Sequence, residues 1–282
     1  MIFNARQFEI RFPRPMLIMG IVNVTPDSFA DGGKFLDPES AVAHGLEQIA
    51  QGAELLDIGG ESTRPGAQPV AEAEELRRVI PVIKKLAAQT KVPLSIDTVK
   101  PAVARAALEA GASIVNDVGA FRSDRHMWGI VAEFHAGYVA MHAPSLPGTM
   151  PPEPTGGNII NAVAEFFSER LIALLNESGI APEQVVLDPG IGFGKSLERN
   201  LQLLGNLGSF TKWRRPLLLG VSRKSFIEKL TGAKLIERLP GSLACAALAV
   251  KSGVNLVRVH DVAETAQAVR VAEAILRTSN VD

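Results

Sequence analysis

Short, continuously apolar segments recur along the chain, and each is followed by a helical spacing of apolar residues. The first extends from Met16 to Val24 and is interrupted only by Gly20 and Asn23. Because it lacks polar alternation, it is typical of a strand covered on both faces. Seven further strands are predicted at 55–61, 94–97, 114–118, 138–142, 185–188, 216–221 and 254–259. Helices are predicted at 41–51, 70–89, 100–110, 125–135, 159–178, 197–207, in a region reaching Lys251 with a break near Pro240-Gly241, and at 262–277.

Eight strand-then-helix units of this length predict a (β/α)8 barrel, a TIM barrel of the α/β class. A doubly wound open sheet is the competing topology, but it would place a G-x-G-x-x-G fingerprint after its first strand, and none follows Val24. No linker or shift of composition divides residues 1–282, so we expect a single domain. Before the barrel, the alternation of Phe8, Ile10 and Phe12 predicts a short half-buried strand or hairpin.

Composition restricts the possible partners. The formal net charge of -1 builds no basic field for nucleic acid or an anionic membrane, so we expect neither as a partner. No segment approaches the roughly 20 apolar residues of a membrane span, and the N-terminus lacks a signal-peptide pattern. We therefore expect a cytoplasmic protein. A single cysteine, Cys245, excludes an internal disulfide.

Polar side chains end every predicted strand. In a barrel these ends share one face, which carries the site. The set is Asn23, Asp57, Asp97, Asn116, His142, Asp188, Ser222 with Lys224, and Arg258 with His260. Taken alone, Asp97 or Asp188 could cap the following turn, and Asp57 is expected to support its loop through backbone amides. Together the eight ends favour a binding site.

The residue types favour a cup of hydrogen-bonding groups around a polar heterocycle. A buried carboxylate can accept two hydrogen bonds from an amino group and a neighbouring ring N–H. Arg64, Arg258 and His260, with glycine-rich turns after two strands, could hold an anionic leaving group such as phosphate. A zinc site is disfavoured because no paired His or Cys spacing is present. A Schiff-base aldolase using Lys224 stays open as an alternative.

Seven motifs, in order from the first strand to the eighth, resemble the dihydropteroate synthase family. The first four are Met-Gly-Ile-Val-Asn-Val-Thr-Pro-Asp-Ser-Phe (19–29), Asp-Ile-Gly-Gly-Glu-Ser-Thr-Arg-Pro-Gly-Ala (57–67), Ser-Ile-Asp-Thr (95–98) and Asn-Asp-Val (116–118). The last three are Asp-Pro-Gly-Ile-Gly-Phe-Gly-Lys (188–195), Ser-Arg-Lys-Ser-Phe (222–226) and Arg-Val-His-Asp-Val (258–262). One motif alone is moderately specific, whereas seven in order cover nearly the whole chain.

The resemblance implies a transferase that joins p-aminobenzoate to 6-hydroxymethyl-7,8-dihydropterin diphosphate with Mg²⁺, releasing diphosphate, and it implies a homodimer. The residues implied to bind the pterin are Asp97, Asn116, Asp188 and Lys224, with Arg258 over its face. Those implied to hold the diphosphate are Asn23, through the metal, Arg64, Arg258 and His260. Those implied to shape the p-aminobenzoate pocket are Phe29, Thr63, Pro65, Phe193 and Ser222. The implied catalytic residues are Asp97, Asp188, Lys224 and Arg258. Loss of diphosphate leaves a methylene cation, which Asp97 would stabilise.

The loop after the fifth strand departs from the family pattern. Ser145 replaces a glycine and Pro151 a glutamine, which affects the expected shape of that loop rather than the pterin pocket. A pterin-binding barrel of the methyl-transfer type, without synthase activity, is the second alternative. Such a module need not keep Ser-Thr-Arg-Pro (62–65) or Ser-Arg-Lys (222–224), and this chain keeps both.

Overall fold

The apolar segments pair as eight parallel strands. The computed structural model describes residues 1–25, 37–62, 67–122, 124–144 and 157–278. An antiparallel hairpin comes first, formed by β1 Ile2–Ala5 and β2 Phe8–Arg11. The barrel strands are β3 Leu17–Asn23, β4 Leu55–Gly59, β5 Leu94–Asp97, β6 Ile114–Asp117, β7 Gly137–Met141, β8 Val185–Asp188, β9 Leu218–Gly220 and β10 Leu256–Val259.

The strand order around the sheet is β8-β7-β6-β5-β4-β3-β10-β9. The two end strands meet through a parallel bridge between Leu187 and Leu217, and the Leu187 amide donates to the Pro216 carbonyl at 2.9 Å. This contact closes the barrel, so the fold predicted from the sequence is confirmed and the open doubly wound sheet is excluded.

Helices surround the barrel and follow the predicted order. They are α1 Pro38–Ala50, α2 Glu72–Gln89, α3 Pro101–Glu109, α4 Arg125–Glu133, α5 Ile159–Glu177, α6 Leu197–Gly205, α7 Ser225–Thr231, α8 Leu239–Lys251 and α9 Val262–Thr278. Short 3-10 helices lie at Ala120–Arg122, Pro182–Gln184, Leu207–Trp213 and Leu235–Glu237. Asp37 caps α1 by accepting from the Ser40 amide at 3.2 Å, with Pro38 next to it, as the sequence predicted.

The predicted break in the helical region before Lys251 is confirmed, but it lies a few residues before Pro240-Gly241. Pro240 lies in the first turn of α8, where its missing N–H costs no hydrogen bond. The break comes earlier, where α7 ends at Gly232 with a left-handed φ of 76°.

The N-terminal hairpin closes the end of the barrel opposite the functional strand ends. Phe3, Ile10 and Phe12 are buried against inward-facing residues of the barrel strands. The Arg6 guanidinium donates to the Leu108 and Ala112 carbonyls at 2.6 and 2.7 Å, which fixes the hairpin to the α3 end. This end is therefore sealed, and open space remains at the carboxyl ends of the strands. Within the described ranges, no helix is both long enough and apolar enough to cross a bilayer. The single domain over 1–282 stays a prediction.

Candidate active site

A cavity of about 400 Å³ opens at the carboxyl ends of the barrel strands. Its walls include nine of the residues predicted from the sequence: Asn23, Asp97, Asn116, Asp188, Phe193, Ser222, Lys224, Arg258 and His260. These residues come from β3, β5, β6, β8 and β10 and from the loops after β8, β9 and β10, so closure of the barrel brings them together. The other predicted residues, Phe29, Thr63, Arg64 and Pro65, and the departures Ser145 and Pro151, lie outside the described residues.

Arg258 joins two carboxylates at the floor of the cavity. Its Nη2 donates to Asp97 Oδ2 at 2.8 Å, and its Nε donates to Asp57 Oδ2. The same Asp57 oxygen accepts from Asn116 Nδ2 at 2.9 Å. The expected role of Asp57, to hold its loop through backbone amides, is therefore wrong. Because the Asp57 side chain is fully buried inside the barrel, it instead orients Arg258 and Asn116, both of which line the cavity.

Asp97 has one carboxylate oxygen without a partner. Oδ2 accepts from Arg258, but Oδ1 is buried and makes no hydrogen bond within the described part of the chain. Burial raises the pKa of Asp97 to about 7, the Arg258 charge opposes that shift, and the Asp57 charge adds to it. Since a buried acceptor left unpaired is costly, this oxygen is poised for a donor that enters the cavity.

Asp188 and Lys224 face each other across another part of the wall. Asp188 Oδ1 accepts from the Gly190 amide at 2.7 Å, so the turn-capping alternative is correct for this residue, which also lines the cavity. Burial lowers the pKa of Lys224 to about 8, although the Asp188 charge works against the shift. Lys224 Nζ donates to the Ile191 carbonyl and lies 4.6 Å from the centre of the Phe193 ring.

Ser222 and His260 form a hydrogen-bonded pair between the ends of β9 and β10. His260 Nδ1 lies 3.0 Å from Ser222 Oγ, which also accepts from the His260 amide at 3.2 Å. The next residue, Arg223, has a left-handed φ of 53°. That strained backbone is supported because the Arg223 amide donates to Ser242 Oγ at 2.9 Å and its side chain pairs with Asp261.

Asn23 is the residue for which the sequence predicts a metal contact. It ends β3, lines the cavity and is partly exposed. No group of three or more His, Cys, Asp or Glu side chains is arranged to hold a metal among the described residues. One side-chain amide oxygen on the cavity wall fits Mg²⁺, which keeps several waters and takes its other oxygens from substrate phosphates.

His142, the polar residue after β7, does not line the cavity. Its ring is mostly buried against Phe166, at 5.2 Å between ring centroids, and burial lowers its pKa to about 3.

Cavity residues that the sequence did not single out include Val118 and Met141, which form an apolar wall, and Arg223 and Arg238. Val118 could have been found from the alternation of strand faces, since it lies two residues after Asn116. Arg238 had no such signal because it comes from the end of a 3-10 turn.

The fold and this cavity define a barrel enzyme with a buried polar site at its strand ends. A family model described as pterin binding enzyme matches residues 19–260. The dihydropteroate synthase of Escherichia coli K12 is 46% identical over 259 residues, which cover 92% of this chain and 91% of that protein. The chain therefore belongs to the pterin-binding enzymes and, within them, to the dihydropteroate synthase family.

Two solved structures agree with this assignment. Xanthomonas albilineans dihydropteroate synthase with 4-aminobenzoic acid has a TM-score of 0.89 and 46% identity, and 98% of each chain is covered. The same enzyme in complex with 7,8-dihydropteroate has a TM-score of 0.87 and 44% identity, covering 98% of this chain and 99% of that one. The family and the transferase class predicted from the sequence are confirmed. These matches favour the synthase over the methyl-transfer module and the Schiff-base aldolase.

Proposed function

We propose that this chain joins p-aminobenzoate to 6-hydroxymethyl-7,8-dihydropterin diphosphate, giving 7,8-dihydropteroate and diphosphate, in the cavity at the strand ends. The observation that carries the proposal is the buried set Asp97, Asn116 and Asp188 beside Lys224 and Arg258. The Xanthomonas relative, whose structures hold 4-aminobenzoic acid and 7,8-dihydropteroate, supports it.

The pterin would bind against the buried carboxylates. A pterin has an amino group next to a ring N–H, and a carboxylate matches this edge with two hydrogen bonds. Asp188 Oδ1 and the open Asp97 Oδ1 are acceptors, while Asn116 and Lys224 supply N–H donors. The planar guanidinium of Arg258, fixed by two carboxylates, is suited to stack over the ring face.

The chemistry follows from the charges of these groups. The C–O bond to diphosphate breaks with its electron pair going to the leaving group, and a methylene cation conjugated with the pterin ring remains. The amine nitrogen of p-aminobenzoate then forms the C–N bond and releases its proton to solvent or to diphosphate. Asp97 would stabilise the cation, and Arg258 and His260 would stabilise the departing anion. An arylamine is a neutral nucleophile, so no strong general base is needed.

Mg²⁺ would be held by Asn23 together with the diphosphate oxygens. When bound, the ion would supply Lewis-acid stabilisation of charge on the leaving group. Because the described residues offer this ion one amide oxygen, we expect titration of Mg²⁺ alone to give no measurable binding. With diphosphate present, Mg²⁺ should bind, and Asn23→Ala should weaken that binding. Equal Mg²⁺ affinity in Asn23→Ala and the wild type would contradict the metal role.

Diphosphate release from the pterin diphosphate, measured with and without p-aminobenzoate, tests the proposed function. We expect release coupled to the amine, with one 7,8-dihydropteroate formed for each diphosphate. Release that never requires or incorporates the amine would contradict the proposal and favour a pterin-binding barrel without synthase activity. Lys224→Ala should lower coupled release at least about 100-fold, because it removes a cation from the site.

We also propose that the chain forms a homodimer and acts in the cytoplasm. The adjoining helices α8 and α9 carry exposed apolar residues: Leu248, Val271 and Ile275 are 71%, 54% and 60% exposed. An apolar surface of this kind is typical of an interface between subunits. Sedimentation of the wild type and of a Leu248→Glu variant tests the dimer, and the variant should shift toward the monomer.

A further inference from the structure

Lys195, at the end of the loop between β8 and α6, is enclosed by backbone carbonyl groups. Its Nζ donates to the carbonyls of Gly190, His142 and Phe193 at 2.7, 3.1 and 3.2 Å. Lys195 is only 9% exposed. Lysine is almost never buried unless its charge is paired, so these carbonyl partners are what allow its burial. These three carbonyl acceptors match the three N–H donors of the ammonium group. Lys195 itself does not line the cavity.

The loop 190–193 lies between this ammonium group and the cavity. Gly190 has a left-handed φ of 67°, and a Cβ there would lie 1.9 Å from the His142 carbonyl oxygen and 3.2 Å from Lys195 Nζ. The loop is therefore pressed against the end of β7 at a position that only glycine can occupy. A second support comes from α6, where Asn200 Oδ1 accepts from the Gly192 amide at 2.7 Å.

The other face of the loop contacts Lys224. The Ile191 carbonyl accepts from Lys224 Nζ, and the Phe193 ring lies 4.6 Å from the same nitrogen. A Cβ on Gly192 would lie 3.0 Å from Lys224 Cδ, so the loop and the lysine stem are in close contact. Movement of this loop would therefore displace both a carbonyl acceptor and an aromatic surface from Lys224.

We propose that Lys195 is a positioning residue: its ammonium group holds loop 190–193 against the end of β7, so that Ile191 and Phe193 meet Lys224 in the binding geometry. A lysine suits this role because its compact charge can donate in three directions to three separate oxygens. The inference rests on the proposed function, since it assigns Lys195 an effect on the binding of that function's product.

Replacement of Lys195 by methionine tests the proposal. Lys195→Met keeps a long apolar side chain but removes all three hydrogen bonds. We expect its calorimetric affinity for 7,8-dihydropteroate to fall at least about tenfold, the size of effect expected when a hydrogen bond to a charged group is lost. The matched control is Lys84→Met, because Lys84 is exposed on α2 and does not line the cavity. The control should bind like the wild type.

A double-mutant cycle separates positioning from a general loss of structure. If Lys195 acts through the loop, the effects of Lys195→Met and Phe193→Ala on affinity should be strongly non-additive. Lys195→Met and Ser222→Ala should be additive, since Ser222 is held by His260 on another wall. If Lys195→Met does not fold, Lys195→Arg replaces it in the cycle, because arginine keeps the charge. The planar guanidinium should misalign the loop, so Lys195→Arg should show the same coupling to Phe193→Ala.

Each outcome has a definite meaning. Weaker binding by folded Lys195→Met, coupled to Phe193 but not to Ser222, supports the positioning role. Wild-type affinity in folded Lys195→Met, or equal coupling to Phe193 and Ser222, overturns it. A wild-type chain that binds no 7,8-dihydropteroate overturns the proposed function itself, and that result is obtained before any variant is compared.

Discussion

Two buried aspartates at neighbouring strand ends have opposite surroundings. Asp117, the last residue of β6, has both carboxylate oxygens occupied: Oδ2 accepts from the Tyr138 hydroxyl at 2.8 Å and Oδ1 from the Gly119 amide at 2.7 Å. Asp97, the last residue of β5, is paired with Arg258 through Oδ2, while Oδ1 has no partner within the described residues.

The difference shows that the barrel strands place ligand-binding side chains on one face and structural side chains on the other. Successive side chains of a strand point to opposite faces, so Asn116 faces the cavity and Asp117 faces the helices. Burial raises the pKa of both acids, to about 7 for Asp97 and about 6 for Asp117. A raised pKa alone therefore does not identify the functional acid. What distinguishes Asp97 from Asp117 is an open acceptor on a side chain that lines the cavity, where a ligand can reach it.

The largest effect should come from removing the charge of Asp97. We expect Asp97→Asn to lower kcat/KM at least about 100-fold, because the variant loses negative charge where the transition state carries positive charge. Steady-state kinetics measures the loss, and thermal unfolding checks that the variant is folded.

Asp117→Asn is the matched control for this variant, because it removes a buried strand-end carboxylate that does not line the cavity. Its kcat/KM should stay close to that of the wild type. Equal losses in the two variants would show that burial, and not the open oxygen, determines the effect.

The pH dependence of kcat/KM should sharpen the comparison. Asp97 must be ionised to stabilise a cation, so kcat/KM should rise about tenfold per pH unit below about 7. It should fall above about 8, where Lys224 loses its proton. Asp97→Asn should remove the acidic limb of this bell-shaped profile, whereas Asp117→Asn should keep it. An acidic limb that persists in Asp97→Asn would assign it to another group.

The smallest effect on catalysis should come from the buried cluster of Asp117, Tyr138 and Trp128, none of which lines the cavity. Tyr138→Phe leaves Asp117 Oδ2 without its donor and Trp128 Nε1 without the Tyr138 oxygen, 3.4 Å away in the wild type. Unsatisfied buried groups of this kind cost about 1–3 kcal/mol, so the free energy of unfolding should fall by that amount. Denaturant unfolding measures it. A large loss of kcat/KM with unchanged stability would place this cluster in the active site.

Much of the fold and the mouth of the barrel could be predicted from the sequence. Strands buried on both faces have unbroken apolar runs, and their parallel order places Asn23, Asp97 and Asp188 at one end. The sequence could not distinguish strand-end residues that line the cavity from strand-end residues that hold other side chains in place. Asp57 looked like a loop support, yet it binds Arg258 from β10, 201 residues away.

Two residues that the sequence placed at the site do not line the cavity, and tertiary contacts explain why. His142 follows a strand like the others, but its ring lies against Phe166 of α5. Lys195 ends a glycine-rich motif that the sequence assigns to the site, although its amine points away from the cavity to three carbonyl groups. Such orientations follow from packing between elements distant along the chain, which local patterns do not encode.

The affinity of Asp97→Asn and Asp117→Asn for 7,8-dihydropteroate, measured side by side by calorimetry at pH 8, tests the central claim most directly. If the open carboxylate oxygen receives the pterin, Asp97→Asn should bind at least about tenfold more weakly than the wild type, as loss of a charged hydrogen bond predicts. Asp117→Asn should bind like the wild type. Unchanged affinity in Asp97→Asn, or an equal loss in both variants, would contradict the account.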